Sequence, residues 1–147
     1  MTPLSFDDLE SAFHWVSGLG PFENSAYVSR ATGQIYWVSE ETKVNEVVPD
    51  DLEDGTLYIA VPHKNDLDLG RNLVFEFAEE HLADDMHKVR SFFFKRGAYS
   101  RFKDLLEYRE LLQQWYEFER SATQKALQRW AKENGFELSA PVRKAVG

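Results

Sequence analysis

The spacing of apolar residues along the chain first indicates a short amphipathic helix. Ser5 precedes a run in which Leu9, Ala12 and Phe13 recur three or four residues apart. That spacing is typical of one helical face, and serine is a preferred residue at the N-cap. Gly18 marks the predicted end of this helix.

Alternating apolar residues then predict strands. Residues 26–30 and 34–38 are rich in strand formers and are joined through Gly33, which can adopt the positive φ of a short hairpin loop. Residues 56–61 alternate in the same way and end at Pro62. We therefore predict a three-stranded antiparallel sheet.

From about residue 70 onward, apolar residues recur every three or four positions, which is typical of a helix. Gly97 interrupts the pattern, and a further short helix is predicted to begin at Ala98. The clearest prediction is a last helix over about residues 109–133, stopped by Gly135. Its apolar stripe consists of Leu111, Trp115, Phe118, Ala122, Ala126 and Trp130.

These elements predict a single α+β domain over residues 1–147. It has an N-terminal helix, a small three-stranded antiparallel sheet and a helical C-terminal half. Helices that follow the strands, instead of alternating with them, favour α+β over parallel α/β. With 147 residues, including 11 Phe and 4 Trp, the chain can build a core without disulfides. Residues from about 136 to 147 are expected to form a frayed tail.

Charge narrows the choice of partners. The formal net charge of −8 opposes general binding to nucleic acid, because phosphates repel it at long range. Seven carboxylates fall between residues 39 and 55, against Lys43 alone. A solvated surface loop is the simpler interpretation of that acidic segment, and the sequence leaves open whether it also has a function.

Cellular location is also constrained. The start of the chain lacks a basic stretch followed by an apolar run, and no apolar stretch approaches the ~20 residues of a membrane helix. The chain has no cysteine, which excludes disulfides and thiolate sites. We predict a cytoplasmic protein with no membrane partner.

A run of Gly-Ala-aromatic-x-x-Phe-Lys lies at residues 97–103 and is followed by Trp115-Tyr116-x-Phe118 and Trp130. Together with the upstream helix, the Thr-Gly hairpin and the strand before Pro62, this pattern resembles the bacterial uncharacterised protein family UPF 0158. The resemblance covers most of the chain up to about residue 135, and Ala131 departs from it. It implies a cytosolic bacterial protein and brings no activity, cofactor or catalytic residue.

No motif of catalysis is present in the sequence. There is no Gly-rich phosphate loop and no Gly-x-Ser-x-Gly turn. The loop with Asp66 and Asp68 fails as a calcium loop because its twelfth position is Phe77, where glutamate is needed. We predict no cofactor, no metal and no catalytic residue, although converging carboxylates stay open as an acid–base option.

The segment 88–103 holds six Lys or Arg residues, no acid, and interleaved aromatic rings. Cations for the backbone and rings for the bases are what single-stranded nucleic acid needs. The candidate binding residues are Arg96, Tyr99, Arg101 and Lys103. The last two point about 200° apart on a helix, which favours the simpler interpretation of cations around a buried stripe.

A protein-binding surface is the other candidate. Tyr27, Tyr36 and Trp37 lie on the predicted hairpin, where exposed rings would mark a partner site and buried rings would pack under the helices. The acidic segment would steer a basic partner. We predict a non-enzymatic protein-binding or regulatory module, with nucleic-acid binding as the alternative.

Overall fold

The computed structural model of the chain describes residues 1–18, 24–39 and 49–140. The fold is α+β with a helical C-terminal half, as predicted. The elements in chain order are β1 (Thr2–Leu4), α1 (Phe6–Val16), β2 (Asn24–Ser29), β3 (Ile35–Ser39), β4 (Tyr58–Ala60), α2 (Arg71–His81), α3 (Met86–Phe92), α4 (Ala98–Tyr108), α5 (Leu112–Glu133) and β5 (Phe136–Leu138).

The chain falls into two compact units. The sheet unit comprises residues up to Leu67 together with those from Ala126 on, and the helical unit comprises Asp68–Lys125. The boundary lies within α5. The single domain expected over residues 1–147 stays a prediction.

Helix α1 begins where the sequence predicts. Ser5 has extended backbone dihedrals (φ −74°, ψ 126°) and its Oγ accepts a hydrogen bond from the N–H of Asp8 at 3.3 Å. This is N-cap geometry, which satisfies one of the unpaired amides of the first turn. Leu9, Ala12 and Phe13 are buried, so the predicted stripe faces the core.

The three-stranded antiparallel sheet is also confirmed, with strand order β3-β2-β4. Ala26 and Val28 of β2 are buried, and α1 packs against β2 and β3. Trp15 of α1 meets Trp37 of β3 edge-to-face, with ring centres 5.1 Å apart. One face of the sheet, here called the α1 face, therefore belongs to the core.

The turn between β2 and β3 requires glycine for two reasons. Gly33 has φ of 78°, in the left-handed region. A Cβ at this position would lie 2.1 Å from the carbonyl oxygen of Pro3. Thr2 Oγ1 also donates to the carbonyl of Arg30 at 2.6 Å. The hairpin turn therefore lies directly against β1.

The frayed tail expected from residue 136 is wrong for the residues that follow α5. Strand β5 pairs in parallel with β1, with Thr2 opposite Phe136. Phe136 is 2% exposed and stacks on Trp130 at 6.0 Å. The N–H of Ser139 also donates to the carbonyl of Leu4 at 2.9 Å. Residues 141–147 lie outside the described residues.

An aromatic cluster forms the core of the helical unit. Phe77 is fully buried and meets Trp115 edge-to-face at 5.4 Å and Phe102 at 6.5 Å. Phe118 is partly buried and contacts Phe77 at 5.3 Å. These four residues are called the Phe77 cluster, and they confirm that this part of the α5 stripe faces the core.

Helix α5 begins at Leu112 instead of about residue 109, because α4 ends in a Schellman motif. Glu110 has φ of 59°. The N–H of Leu111 donates to the carbonyl of Leu106 at 2.8 Å, and the N–H of Glu110 to that of Glu107 at 3.1 Å. Glycine usually occupies the left-handed position, so glutamate there conceals the break in the sequence.

In the described part of the acidic segment, residues 49–55, Pro49 is partly buried, Leu52 is buried and the other residues are exposed. Leu52 is only 8% exposed. Residues 40–48 of the segment lie outside the described residues. The exposed acids are Asp50, Asp51, Glu53 and Asp54, and these four residues are called the acidic turn.

Candidate functional site

The four residues predicted to bind nucleic acid do not share one surface. Lys103 lies over the ring of Tyr116 on α5, with Nζ 5.7 Å from the ring centre. Nη1 of Arg101 instead donates to the backbone carbonyl of Arg96 at 2.7 Å. The structure thus brings Arg96 and Arg101 together and leaves Lys103 apart, as the 200° divergence on a helix requires.

Tyr99 is also part of the packing around this segment. Its ring meets Phe93 edge-to-face at 5.4 Å, and burial raises the pKa of its hydroxyl. A ring held in this way offers less area for stacking than an exposed one.

One exposed ring stands among these cations. Phe94 is 86% exposed. Phe92 and Phe93 already fill the buried side of this segment, and a third consecutive ring cannot share their face. The run of three consecutive phenylalanines was therefore the sequence signal that one of the rings is exposed. Phe94, Lys95, Arg96 and Arg101 are called the basic turn.

Three tyrosines share the sheet face opposite α1. Tyr27 pairs with Tyr36, and Ser29 pairs with Tyr58. Directly paired residues point to the same side of a sheet, so the three rings lie on one face. Tyr36 and Tyr58 meet edge-to-face at 5.9 Å and 85°, and all three are partly buried. These residues are called the tyrosine face.

Trp37 does not belong to that face. It pairs with Ala26 and contacts Trp15, so its side chain lies on the α1 face. Adjacent residues of a strand point to opposite sides, which separates Trp37 from Tyr36. The predicted trio is therefore divided, and Tyr58 takes the place of Trp37. The alternation of Leu57, Ile59 and Val61 was the signal that Tyr58 points the other way.

Tyr58 is tied to the acidic turn. Burial raises the pKa of Tyr58, and the charge of the neighbouring Asp51 carboxylate raises it further. The N–H of Tyr58 also donates to the carbonyl of Asp54 at 3.0 Å, which joins β4 to the acidic turn. The tyrosine face therefore has a negative charge at its border.

Backbone contacts fix the rest of this border. Asp54 Oδ1 accepts from the N–H of Thr56 at 2.9 Å and from its Oγ1 at 2.7 Å. These bonds lower the pKa of Asp54, so its carboxylate stays ionised. Nε of Arg30 donates to the carbonyl of Gly55 at 2.8 Å, which holds this cation on the turn.

A pocket of about 410 Å³ lies in the helical unit, between the end of α2 and the turn after α4. Its main charged pair is Arg109 with Asp85, bonded twice at 3.0 Å and 3.1 Å. This pairing raises the pKa of Arg109. Because each charge already has its partner, we interpret the pair as a contact that holds the turn in place.

Metal binding finds no support in the part of the chain that is described. There, no three His, Asp or Glu side chains are grouped so that they could hold an ion. In the loop before α2, Asp66 Oδ2 accepts from the N–H of His63 at 3.0 Å, and His63 Nδ1 accepts from the N–H of Asn65 at 3.0 Å. Both side chains therefore accept hydrogen bonds from the backbone of their own turn.

Across residues 1–18, 24–39 and 49–140, no helix has the length and apolar character needed to cross a membrane. No protein-family model, curated protein or solved structure matches the chain. The resemblance to UPF 0158 stays a prediction, and the two surfaces themselves carry the functional argument.

Proposed function

We propose that this protein is a non-enzymatic binding module of the bacterial cytoplasm, and that its tyrosine face holds a protein partner. The observation that supports this is the alignment of Tyr27, Tyr36 and Tyr58 on the sheet face opposite α1. Tyrosine combines a large apolar ring with a polar hydroxyl and is enriched among interface hot spots. The bacterial and cytoplasmic parts of the proposal rest on the resemblance to UPF 0158.

The two faces of the sheet differ in what covers them, and this difference supports the proposal. Ala26 and Val28 are buried beneath α1, with 1% and 0% of their surfaces exposed. The tyrosines on the other side keep part of theirs exposed. The side chains that pack against α1, including Trp37 with its contact to Trp15, are therefore separate from the rings offered to a partner.

Affinity capture from nuclease-treated bacterial cytosol tests this proposal. We expect the wild-type chain to retain a specific protein and the Tyr36→Ala/Tyr58→Ala variant to lose it. Tyr108→Ala is the matched control, because it removes a tyrosine that is 78% exposed on α4, in the other unit. Circular dichroism of each variant reports whether the fold is kept.

Two results would overturn the proposal. One is equal capture by a folded Tyr36→Ala/Tyr58→Ala variant, which would remove the tyrosine face from the interaction. The other is a wild-type chain that retains no protein above the level of an unrelated bait.

The basic turn supports nucleic-acid binding as a second candidate function. Phe94 is 86% exposed, and the bond from Arg101 to the Arg96 carbonyl brings a guanidinium to this turn. An exposed ring beside cations suits stacking on a base with charge on the backbone. The chain's net charge of −8 works against it.

Fluorescence anisotropy with a labelled oligothymidylate of about 12 nucleotides tests this second function. Arg101→Glu and Lys103→Glu change the charge equally on one helix, but only Arg101 lies at the basic turn. We expect Arg101→Glu and Phe94→Ala to abolish salt-sensitive binding, and Lys103→Glu to weaken it less. Equal loss from both charge reversals, or binding that ignores salt, would rule out this site.

A further inference from the structure

We infer that the partner's contact with the tyrosine face is an arginine-bearing segment, with the guanidinium seated against Tyr36 and Tyr58 beside Asp51. This inference rests on the proposed function and specifies the chemistry of the same surface. It joins three features: a perpendicular ring pair, a neighbouring carboxylate and an acidic border.

The ring pair provides the seat. At 85° and 5.9 Å, Tyr36 and Tyr58 present an edge to a face, so ring surface on both residues stays clear of the other ring. The face of an aromatic ring is its negative region and attracts a cation within about 6 Å of its centre. Two perpendicular rings can contact a flat cation on adjacent sides.

The carboxylate provides the orientation. Asp51 lies in the acidic turn, near enough to Tyr58 for its charge to raise the pKa of the hydroxyl. The N–H of Tyr58 donates to the carbonyl of Asp54 in the same turn at 3.0 Å, which places that turn at the border of the seat. An ionised carboxylate accepts through both of its oxygens. A guanidinium presents several N–H groups in one plane, so it can donate to Asp51 while its face lies on a ring.

The acidic turn provides the long-range attraction. Its four carboxylates, at Asp50, Asp51, Glu53 and Asp54, are exposed beside β4. The nearby guanidinium of Arg30 is bonded to the Gly55 carbonyl and offsets only part of this charge. Such a border steers a positive segment toward the surface and repels phosphate.

Arginine fits this site better than lysine does. The ammonium of lysine is a compact, strongly hydrated charge, whereas the guanidinium is flat, weakly hydrated and stacks on rings. The seat is a pair of ring surfaces with one carboxylate at its border, which matches the flat ion.

The test is an NMR titration of the full chain with a defined peptide. The probe is a peptide of Arg, Ser and Gly, compared with two of equal length in which every Arg becomes citrulline or Lys. Citrulline keeps the planar shape and removes the charge. We expect the Arg peptide to shift the signals of Tyr36 and Tyr58, the Lys peptide to bind more weakly, and the citrulline peptide to cause no shift.

Substitutions then test the carboxylate. We expect Asp51→Asn to weaken binding of the Arg peptide about fivefold, the size expected when a partly exposed charge contact is lost. Asp84→Asn is the matched control, because it makes the same charge change at an exposed acid of the helical unit. It should leave the affinity within about twofold of wild type, because Asp84 is not part of the acidic turn.

The outcomes separate this inference from the proposed function. Suppose that Tyr36→Ala/Tyr58→Ala loses the captured partner while the citrulline or Lys peptide binds as well as the Arg peptide. The protein-binding function would then be retained, and the inference that the contact is an arginine would be wrong. Equal weakening by Asp51→Asn and Asp84→Asn would also overturn the seat, because it would show an effect of net charge alone. A wild-type chain that captures nothing overturns the proposed function instead.

Discussion

The Phe77 cluster and the tyrosine face use the same ring geometry for different purposes. Phe77 and Trp115 meet at 5.4 Å and 77°, and Tyr36 and Tyr58 at 5.9 Å and 85°. Phe77 is fully buried, whereas both tyrosines keep part of their surface exposed. Edge-to-face packing therefore does not separate core from surface. The surroundings do, because the exposed acid Asp51 lies near enough to Tyr58 for its charge to raise the pKa of the hydroxyl.

The helical unit also exposes a ring, and its surroundings carry the opposite charge. Phe94 has no polar group and stands beside Lys95 and Arg96. The tyrosine face has hydroxyls and stands beside acids. If both surfaces bind, their ligands must carry opposite charges, and each should be insensitive to changes at the other.

The largest expected effect compares the core with the tyrosine face. Phe77→Ala should lower the free energy of unfolding by about 3–5 kcal/mol, because it leaves a cavity in a packed aromatic cluster. Tyr36→Ala should cost about 1 kcal/mol, since it removes one cross-strand ring contact. Urea unfolding measures both. Similar losses would mean that the tyrosines are also core residues, and their availability to a partner would then be in doubt.

A second substitution tests a backbone contact that holds the sheet unit together in addition to its buried rings. Gly33→Ala places a Cβ 2.1 Å from the Pro3 carbonyl oxygen at φ of 78°. The strain and the displaced β1 should cost about 2 kcal/mol. Gly55→Ala is the control, because its Cβ would meet nothing within 4 Å. Thermal unfolding of both variants measures the difference, and equal melting temperatures would contradict a close fit at Gly33.

Local patterns explain which parts of the fold were predictable. The N-cap at Ser5 and the hairpin at Gly33 depend on residues a few positions apart, and periodicity shows them. The pairing of β1 with β5 joins Thr2 to Phe136 through strands of three residues each. Such short, distant strands leave no alternation to read, so the tail was wrongly expected to fray.

The candidate surfaces could be predicted only where the repeat of a strand or a helix shows which side chains share a face. Alternation along β3 separates Tyr36 from Trp37, and helical divergence separates Arg101 from Lys103. Tyr58 could be found from its own strand pattern. Its proximity to Asp51 could not, because no rule of spacing says which acid of an exposed turn lies near a given ring.

The smallest predicted effect tests the influence of Asp51 on Tyr58. The pKa of Tyr58 is raised above its ordinary value of 10.0 by burial and by Asp51. A group whose pKa is raised by folding stabilises the fold below its unfolded pKa, and that contribution is lost as pH rises through the folded pKa. For Tyr58 the loss therefore begins only above about pH 10.

Asp51→Asn should move the Tyr58 titration down toward its ordinary value, because the negative charge is removed while burial remains. NMR of chains labelled at the tyrosine Cζ follows the hydroxyl, with Tyr58→Phe identifying the signal. Asp50→Asn makes the same charge change one residue away and should move it less. If the two variants shift Tyr58 equally, the general charge of the acidic turn accounts for the raised pKa. The proposed arginine site would then lack a single carboxylate that orients its ligand, and the tyrosine face would differ from the Phe77 cluster in its exposure, its hydroxyls and the general charge of its border.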